Sequence, residues 1–339
     1  MKLFVLGAGG IGTLVTSALC DRFPVTFIVR NQKKIEYMAQ NKNCFQINRL
    51  FDGKQKEFQI DSVKTSEQVC SENAFIPFLI VCVKTIDTVK SLKPLLKVLD
   101  ERSKILFIQN GMGVLEELYS TIWPIAGKRP TIYHGVISHG VWQHKSKWGT
   151  FDYNHAGSGT LEMSKVPDNK NSSDEIDDVL LKILDDEEIH AKYLNYNDLL
   201  VLQISKLMVN ACINSTTSII DCVNHEPSGI SITESLYKDI ITEGLSIIKK
   251  SFPSVKDDPR LSIEKVYETV VYLGFTLNGK NSSSMREDTK AIPVREVEVD
   301  YINGYICKLA NNLGLSAPIN ETIRKLVLLR VEINKKRLL

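Results

Sequence analysis

No stretch of eighteen consecutive apolar residues occurs in the sequence, so a membrane-spanning helix is not expected. Net charge is also nearly absent. Forty-two lysines and arginines face forty aspartates and glutamates, a formal +2, which offers no sequence-independent grip on nucleic acid. The cysteines lack any pattern. Cys20, Cys44, Cys70, Cys82, Cys212, Cys222 and Cys307 form no CxxC pair, and their number, seven, is odd. Buried thiols in a reducing cytoplasm are the expectation. His139 and His155 match no zinc-ligand spacing, so no metal is expected and both histidines read as structural. There is no internal repeat and no low-complexity tract. The opening "MKLFVLGAGG" lacks the long apolar core and small-residue cleavage site of a signal peptide. It reads instead as a buried strand running into a glycine turn.

What remains is an ordinary globular composition, 43% hydrophobic and 24% charged over 339 residues, long enough for two domains. The first half alternates strand and helix. Strands are expected at 2–6, 25–30, 78–83, 104–110, 131–138 and 159–164. Helical spacing fills 10–21 and 86–99, the latter strained by Pro94, which would alternatively start a second, shorter helix. A polar loop at 166–175, a helix at 175–186 and a short strand at 189–194 complete this part. Such alternation implies a parallel sheet covered on both faces. Beyond Asn197 long helical periodicities dominate, at 198–222, 233–251, 261–276, 295–313 and 319–336. The expected fold is α/β: a Rossmann-type doubly wound sheet over 1–196, then an all-helical domain over 197–339.

"LGAGGIG" supplies the GxGxxG spacing in Gly7, Gly9 and Gly12, after an expected strand and opening an expected helix. In such a turn Gly7 allows the tight bend, Gly9 lets a pyrophosphate approach the main chain, and Gly12 permits close helix–sheet packing. The helix start offers free amides to the phosphates. A dinucleotide is therefore expected on Gly7, Ala8, Gly9, Gly10, Ile11 and Gly12. NAD-specific sites carry an acid near the end of the second strand. Here that end reads Val29-Arg30-Asn31-Gln32-Lys33-Lys34. Arg30 can grip a 2′-phosphate in two-pronged fashion, which points to NADP(H). Lys33 and Lys34 read as the solvated start of a helix. Lys84 and Asn110 each follow an expected strand, where ligands bind in open α/β sheets.

In the helical half, "SKLMVNACIN" places Lys206, Asn210 and Asn214 four residues apart in an apolar run. At helical pitch they share an arc of roughly 80°. Asn is a weak helix former. The stripe is either a narrow solvated face or a ligand-facing one.

"GAGGIG", "VCVKT", "IQNGMG", "HGV", "KLMVNACIN" and "SSSMREDT…EVDYINGY" occur in one order. In this the chain resembles the ketopantoate reductases (2-dehydropantoate 2-reductases), most nearly the fungal type, from Met1 to about Leu328. The resemblance implies NADPH-dependent reduction of 2-dehydropantoate to (R)-pantoate, a step toward pantothenate and coenzyme A. It implies Lys206 as catalytic lysine and Asn210, Asn214, Asn224 and Ser284 as substrate residues, with Asn110 serving both substrate and cofactor. Glu298 would be the acidic residue beside cofactor and substrate. Arg30, Lys84 and Val141 would join the glycine turn in holding NADP(H).

The chemistry agrees. Hydride addition to a ketone leaves negative charge on oxygen, which a nearby ammonium stabilises and protonates. Glu298 would orient that ammonium or tune its proton affinity. Asn both donates and accepts, which suits a hydroxyl and a carboxylate together. The chain departs from the family at Ile204, where many members carry tryptophan, and at Ser215, where many carry proline. Two extra residues fall between Ser284 and Glu298, near Pro293. The remaining alternatives are another NADP-dependent 2-oxo or hydroxy acid oxidoreductase, or an NADPH-binding sensor without turnover. The expected partner is a small 2-oxo acid, with neither nucleic acid nor membrane. A homodimer is compatible with the sequence.

Overall fold

The computed structural model describes residues 1–143, 152–168 and 175–338. They divide into two compact units. One comprises Met1–Gln109 and Glu116–Leu199, the other Asn110–Leu115 and Leu200–Leu339. The centre of the expected polar loop, 169–174, lies outside the described residues.

The strands are β1 (Leu3–Leu6), β2 (Val25–Val29), β3 (Cys44–Arg49), β4 (Gln55–Gln59), β5 (Ser62–Thr65), β6 (Phe78–Val81), β7 (Lys104–Ile108), β8 (Thr131–Ile137), β9 (Gly140–Gln143), β10 (Asp152–Gly157), β11 (Leu161–Lys165) and β12 (Ala191–Tyr193). The helices are α1 (Gly10–Ser17), α2 (Gln32–Gln40), α3 (Ser66–Ser71), α4 (Thr88–Leu92), α5 (Val114–Thr121), α6 (Asp178–Leu184), α7 (Tyr196–Ile220), α8 (Ser231–Ser251), α9 (Ile263–Val271), α10 (Ser284–Lys290), α11 (Asn303–Asn312) and α12 (Pro318–Arg337).

The first unit is a doubly wound α/β domain. Eight strands run in the order β12-β11-β8-β7-β6-β1-β2-β5. Every neighbour pair is parallel except β8 with β11, which is antiparallel. The strand expected at 159–164 therefore exists but runs against its neighbour, so the sheet is mixed. "LFVL", "VTFIV" and "FLIV" are buried at every position, as strands covered on both faces must be. The order reverses beside β1, with β2 on one side and β6 on the other. That reversal is where open α/β sheets bind ligands.

A second sheet, β4-β3-β10-β9, has no counterpart among the sequence expectations. Its central pair, β3 and β10, is parallel and joins Gln46 to Asp152. "QKEFQ" buries only Phe58. Phe58 stacks on Phe45 at 5.5 Å, and Phe45 meets Phe27 edge-on at 5.3 Å. An aromatic chain thus ties the small sheet to the core of the large one.

The second unit is helical. α7 is its spine, and 61% of its most apolar window is buried inside the protein, the pattern of a core helix rather than a lipid-facing one. Its hydroxyls return to its own backbone, Thr216 to the Cys212 carbonyl at 2.6 Å and Thr217 to the Ile213 carbonyl at 2.7 Å. The same hydroxyls bolt on neighbours: Thr216 contacts the Tyr237 hydroxyl of α8, and Thr217 the Ser283 hydroxyl before α10, each at 2.8 Å.

Ser215, the residue replacing a common proline, donates to Asn303 Oδ1 at 2.6 Å. Asn303 donates to Asn320 Oδ1 at 3.0 Å, and Asn320 donates to Glu243 at 2.8 Å. Glu243 also accepts the Ile319 and Asn320 amides at 3.0 and 2.8 Å, satisfying orphan donors at the start of α12. Asn303 and Asn320 are fully buried. One polar chain therefore pins α7, α8, α11 and α12 together. Ile204, the other departure, is fully buried in the core.

Two helical expectations are corrected. The segment 295–313 is α-helical only over α11, preceded by a 3-10 turn at Glu298–Tyr301. The Tyr301 carbonyl accepts the Met112 amide at 2.9 Å, so it is turned to that donor rather than to a helical partner. The segment 261–276 is α-helical over α9 and then widens to a π-helix at Tyr272–Leu277. Gly274 there lies against the Ile213 side chain, only 2.4 Å from where a Cβ would stand.

Candidate active site

In the first unit the site begins where β1 turns into α1. Gly7 has φ +105°, the left-handed region that favours glycine. A Cβ there would lie 2.9 Å from the Cys82 and Val83 backbone, so the turn is pressed against the end of β6. A Cβ on Gly12 would stand 2.1 Å from the Gly7 carbonyl oxygen, and one on Gly10 would stand 2.4 Å from the Val141 carbonyl oxygen. Gly9 differs: among the described residues, nothing beyond its own chain neighbours lies within 4 Å of its Cβ position. It is also the N-cap of α1 and offers no side-chain cap to the first amides. Three glycines thus let backbone pack on backbone, while the fourth opens a gap over unsatisfied amides. That is the cradle a pyrophosphate needs.

The orientation of the turn is fixed from below. The Ala8 carbonyl accepts the Tyr153 hydroxyl at 3.0 Å and the Lys34 ammonium at 3.2 Å. In a trans peptide the following N–H points opposite to the carbonyl. The Gly9 amide therefore faces away from both donors.

Around the turn, Arg30 is 78% exposed and pairs with Asp87 at 2.8 Å. Lys84 is half-buried and directly precedes the 3-10 turn that carries Asp87. Val141 on β9 lies over Gly10. The Gln109 side chain donates to the Val83 carbonyl and the Thr88 hydroxyl, both at 2.7 Å, and so fixes the end of β7. The next residue, Asn110, belongs with the second unit.

In the second unit the polar stripe on α7 is not a solvated face. Asn210 is buried, and Lys206 and Asn214 are half-buried. Asn214 donates to the Ser284 hydroxyl at 3.5 Å across 70 residues of sequence. Ser283, not Ser284, caps α10 by accepting the Arg286 amide at 3.2 Å. Asn224 is buried. Its side-chain amide donates to the Asn278 carbonyl at 3.0 Å, and its backbone amide to the Asn281 carbonyl at 3.1 Å. Its Oδ1 is buried and meets no donor among the described residues. A buried acceptor without a donor is costly, and a ligand hydroxyl can satisfy it. The fold thus brings Asn214 to Ser284 and Asn224 to the loop leading into Ser284. Glu298, half-buried, opens the separate 3-10 turn.

His139 and His155 form a buried pair, Nδ1 to Nε2, at 2.9 Å. His139 Nε2 donates to the Ile189 carbonyl at 2.9 Å, while its Nδ1 accepts the Gly159 amide at 3.2 Å. His155 Nε2 must then be the donor within the pair. Burial, with His139 and Arg49 nearby, pushes His155 down to about 4, so both rings are neutral at pH 7. No group of three or more metal-binding side chains exists among the described residues.

Tyr153 and Asn303 have no assigned role in the sequence, and Lys34 reads there only as a solvated helix start. Lys34 carried one signal: a cation in the first turn of a helix that has no acid there. Tyr153, 145 residues from the carbonyl it holds, carried none.

A glycine turn at the switch point of a doubly wound sheet defines a Rossmann-type dinucleotide-binding protein. Residues 3–168 match the family described as Ketopantoate reductase PanE/ApbA, and residues 198–330 match its C-terminal counterpart. The chain is 36% identical to the probable 2-dehydropantoate 2-reductase of Schizosaccharomyces pombe, covering 99% of this chain and 98% of that one. Identity to the 2-dehydropantoate 2-reductase of Saccharomyces cerevisiae is 31%, over 99% and 96%. The crystal structure of the probable Bacillus subtilis 2-dehydropantoate 2-reductase superimposes with a TM-score of 0.71, at 26% identity, over 97% of this chain and 100% of the other. The chain belongs to the ketopantoate reductase family.

Proposed function

We propose that the protein reduces the ketone of 2-dehydropantoate to the hydroxyl of (R)-pantoate with NADPH, as a cytoplasmic enzyme of pantothenate biosynthesis. The observation that carries this reading is similarity to 2-dehydropantoate 2-reductases over essentially the whole chain. The open cradle at Gly9 fits the dinucleotide. When bound, NADPH supplies the hydride for the ketone carbon. The chain's residues do the rest. The glycine turn and Arg30 hold the phosphates, with Lys84, Asn110 and Val141 flanking. Asn210, Asn214, Asn224 and Ser284 bind the substrate's polar groups; the unpartnered Asn224 Oδ1 supports an acceptor role. Lys206 stabilises the charge that grows on the carbonyl oxygen and delivers a proton to it. Glu298 orients Lys206. Seven unpaired thiols accord with a reducing cytoplasm, and a homodimer is compatible with this reading.

The test is NADPH consumption with purified protein against 2-dehydropantoate and a panel of other 2-oxo acids. The reading predicts the highest kcat/KM for 2-dehydropantoate and preference for NADPH over NADH. A higher kcat/KM for another 2-oxo acid would reassign the substrate. Tight NADPH binding without turnover on any of them would make the protein a sensor.

A further inference from the structure

α2 begins in an unfavourable way. Asn31 caps it by accepting the Lys34 amide at 3.1 Å, and the first turn contains no acid. Lys33 and Lys34 stand there instead, at the helix end where positive charge is disfavoured. Lys33 escapes into solvent. Lys34 does not. It is half-buried, and among the described residues its ammonium has one hydrogen-bond partner, the neutral Ala8 carbonyl oxygen at 3.2 Å. Burial first, and the charge of Arg30 second, hold its proton affinity below that of an ordinary lysine. The nearby carboxylate of Asp87 is bonded to Arg30. A flexible lysine kept out of water, beside another cation and above the dinucleotide turn, is organised for an anion that the protein does not itself provide. The Gly9 amide faces away from Lys34, because the Ala8 carbonyl points toward it. Lys34 stands close enough to Arg30 to feel its charge.

We propose that Lys34 is a second cation of the 2′-phosphate site, acting with Arg30 to select NADPH over NADH. The proposal rests on the reading of the turn as an NADP(H) site. Because Lys34 is partly shielded from water, its attraction for the phosphate is screened less than that of the exposed Arg30. Tyr153 provides the internal comparison. It holds the same carbonyl from the other donor position but carries no charge, so it positions the turn for either dinucleotide.

The experiment is equilibrium binding of NADPH and NADH to the full chain, by calorimetry or by fluorescence of the bound dihydronicotinamide. The variants are Lys34→Gln, Lys34→Arg and Tyr153→Phe, each checked for an intact melting transition. Loss of one charge-assisted contact predicts NADPH binding weakened about 10- to 100-fold in Lys34→Gln. NADH binding should move by less than about threefold, a shift small against the loss of such a contact. Lys34→Arg should keep the preference, and Tyr153→Phe should weaken both dinucleotides alike. Equal losses for NADPH and NADH in Lys34→Gln would overturn the proposal and reduce Lys34 to a support for the turn. An unchanged ratio would overturn it as well. A wild-type chain that binds neither dinucleotide would overturn the NADP(H) reading itself, and this proposal with it.

Discussion

The two candidate regions, one in each unit, are built from opposite materials. The glycine turn of the first unit works by absence: side chains are missing so that backbone can meet backbone, or a ligand. The α7 stripe of the second unit, in the proposed reading, would work by presence: Lys206, Asn210 and Asn214 are carried on a largely buried helix. An absence is local and tolerates little around it. A presence needs scaffolding, and here the scaffold is a polar chain from Ser215 through Asn303 and Asn320 to Glu243. The two regions should therefore fail differently when disturbed.

The largest expected loss of stability is at Asn303. Asn303→Leu leaves the Ser215 hydroxyl with only its 4.0 Å contact to Met285 Sδ and removes the donor to the Asn320 Oδ1, while the Asn320 amide keeps Glu243. Unpaired buried groups of this kind cost about 3 kcal/mol together, readable as a lower denaturant midpoint. A midpoint like that of the wild type would mean that the chain of hydrogen bonds is dispensable. Gly12→Ala comes next. Its Cβ would meet the Gly7 carbonyl at 2.1 Å, and relieving that clash costs about 1–3 kcal/mol.

Gly9→Ala should cost no more than ~0.5 kcal/mol, because its Cβ enters open space and its φ is −96°. Yet that space is where the dinucleotide must approach. Binding of NADPH should weaken at least tenfold at constant melting temperature, so that stability and binding separate cleanly within one turn. If Gly9→Ala bound NADPH normally, the cradle would lie elsewhere.

The smallest effect concerns pH. His155 titrates at about 4 in the folded protein against 6.5 for an ordinary histidine. The unfolded chain therefore takes up the proton first. Stability from this group is complete above about 6.5 and is lost progressively as pH falls toward 4. Melting temperatures of wild type and His155→Gln, measured between pH 7.5 and 4.5, should converge toward the acid end. Parallel curves would contradict a neutral buried pair.

The same contrast explains what could be read from the residues alone. The turn was legible because its chemistry is spacing, Gly7-x-Gly9-x-x-Gly12 between a strand and a helix. The long helices of the second unit were legible from their periodicity. The β3–β10 pairing was not, because its partners lie about a hundred residues apart and "QKEFQ" shows a single buried position. The break before α11 was hidden because apolar spacing runs straight through it, while the reason for it is a remote amide, that of Met112. Lys34 read as solvent-exposed because helix starts usually are; the Ala8 carbonyl beside it is a tertiary fact. Asn303 stood within "EVDYINGY" without a visible role, since its partners Ser215 and Asn320 come from two other helices.

The central claim is that the α7 lysine performs the proton step while the glycine turn binds NADPH independently. Its most direct test is Lys206→Ala, with NADPH affinity and turnover of 2-dehydropantoate measured on the same folded sample. The account predicts wild-type NADPH affinity and a turnover lowered roughly 10²-fold or more. Undiminished turnover in that variant would contradict it.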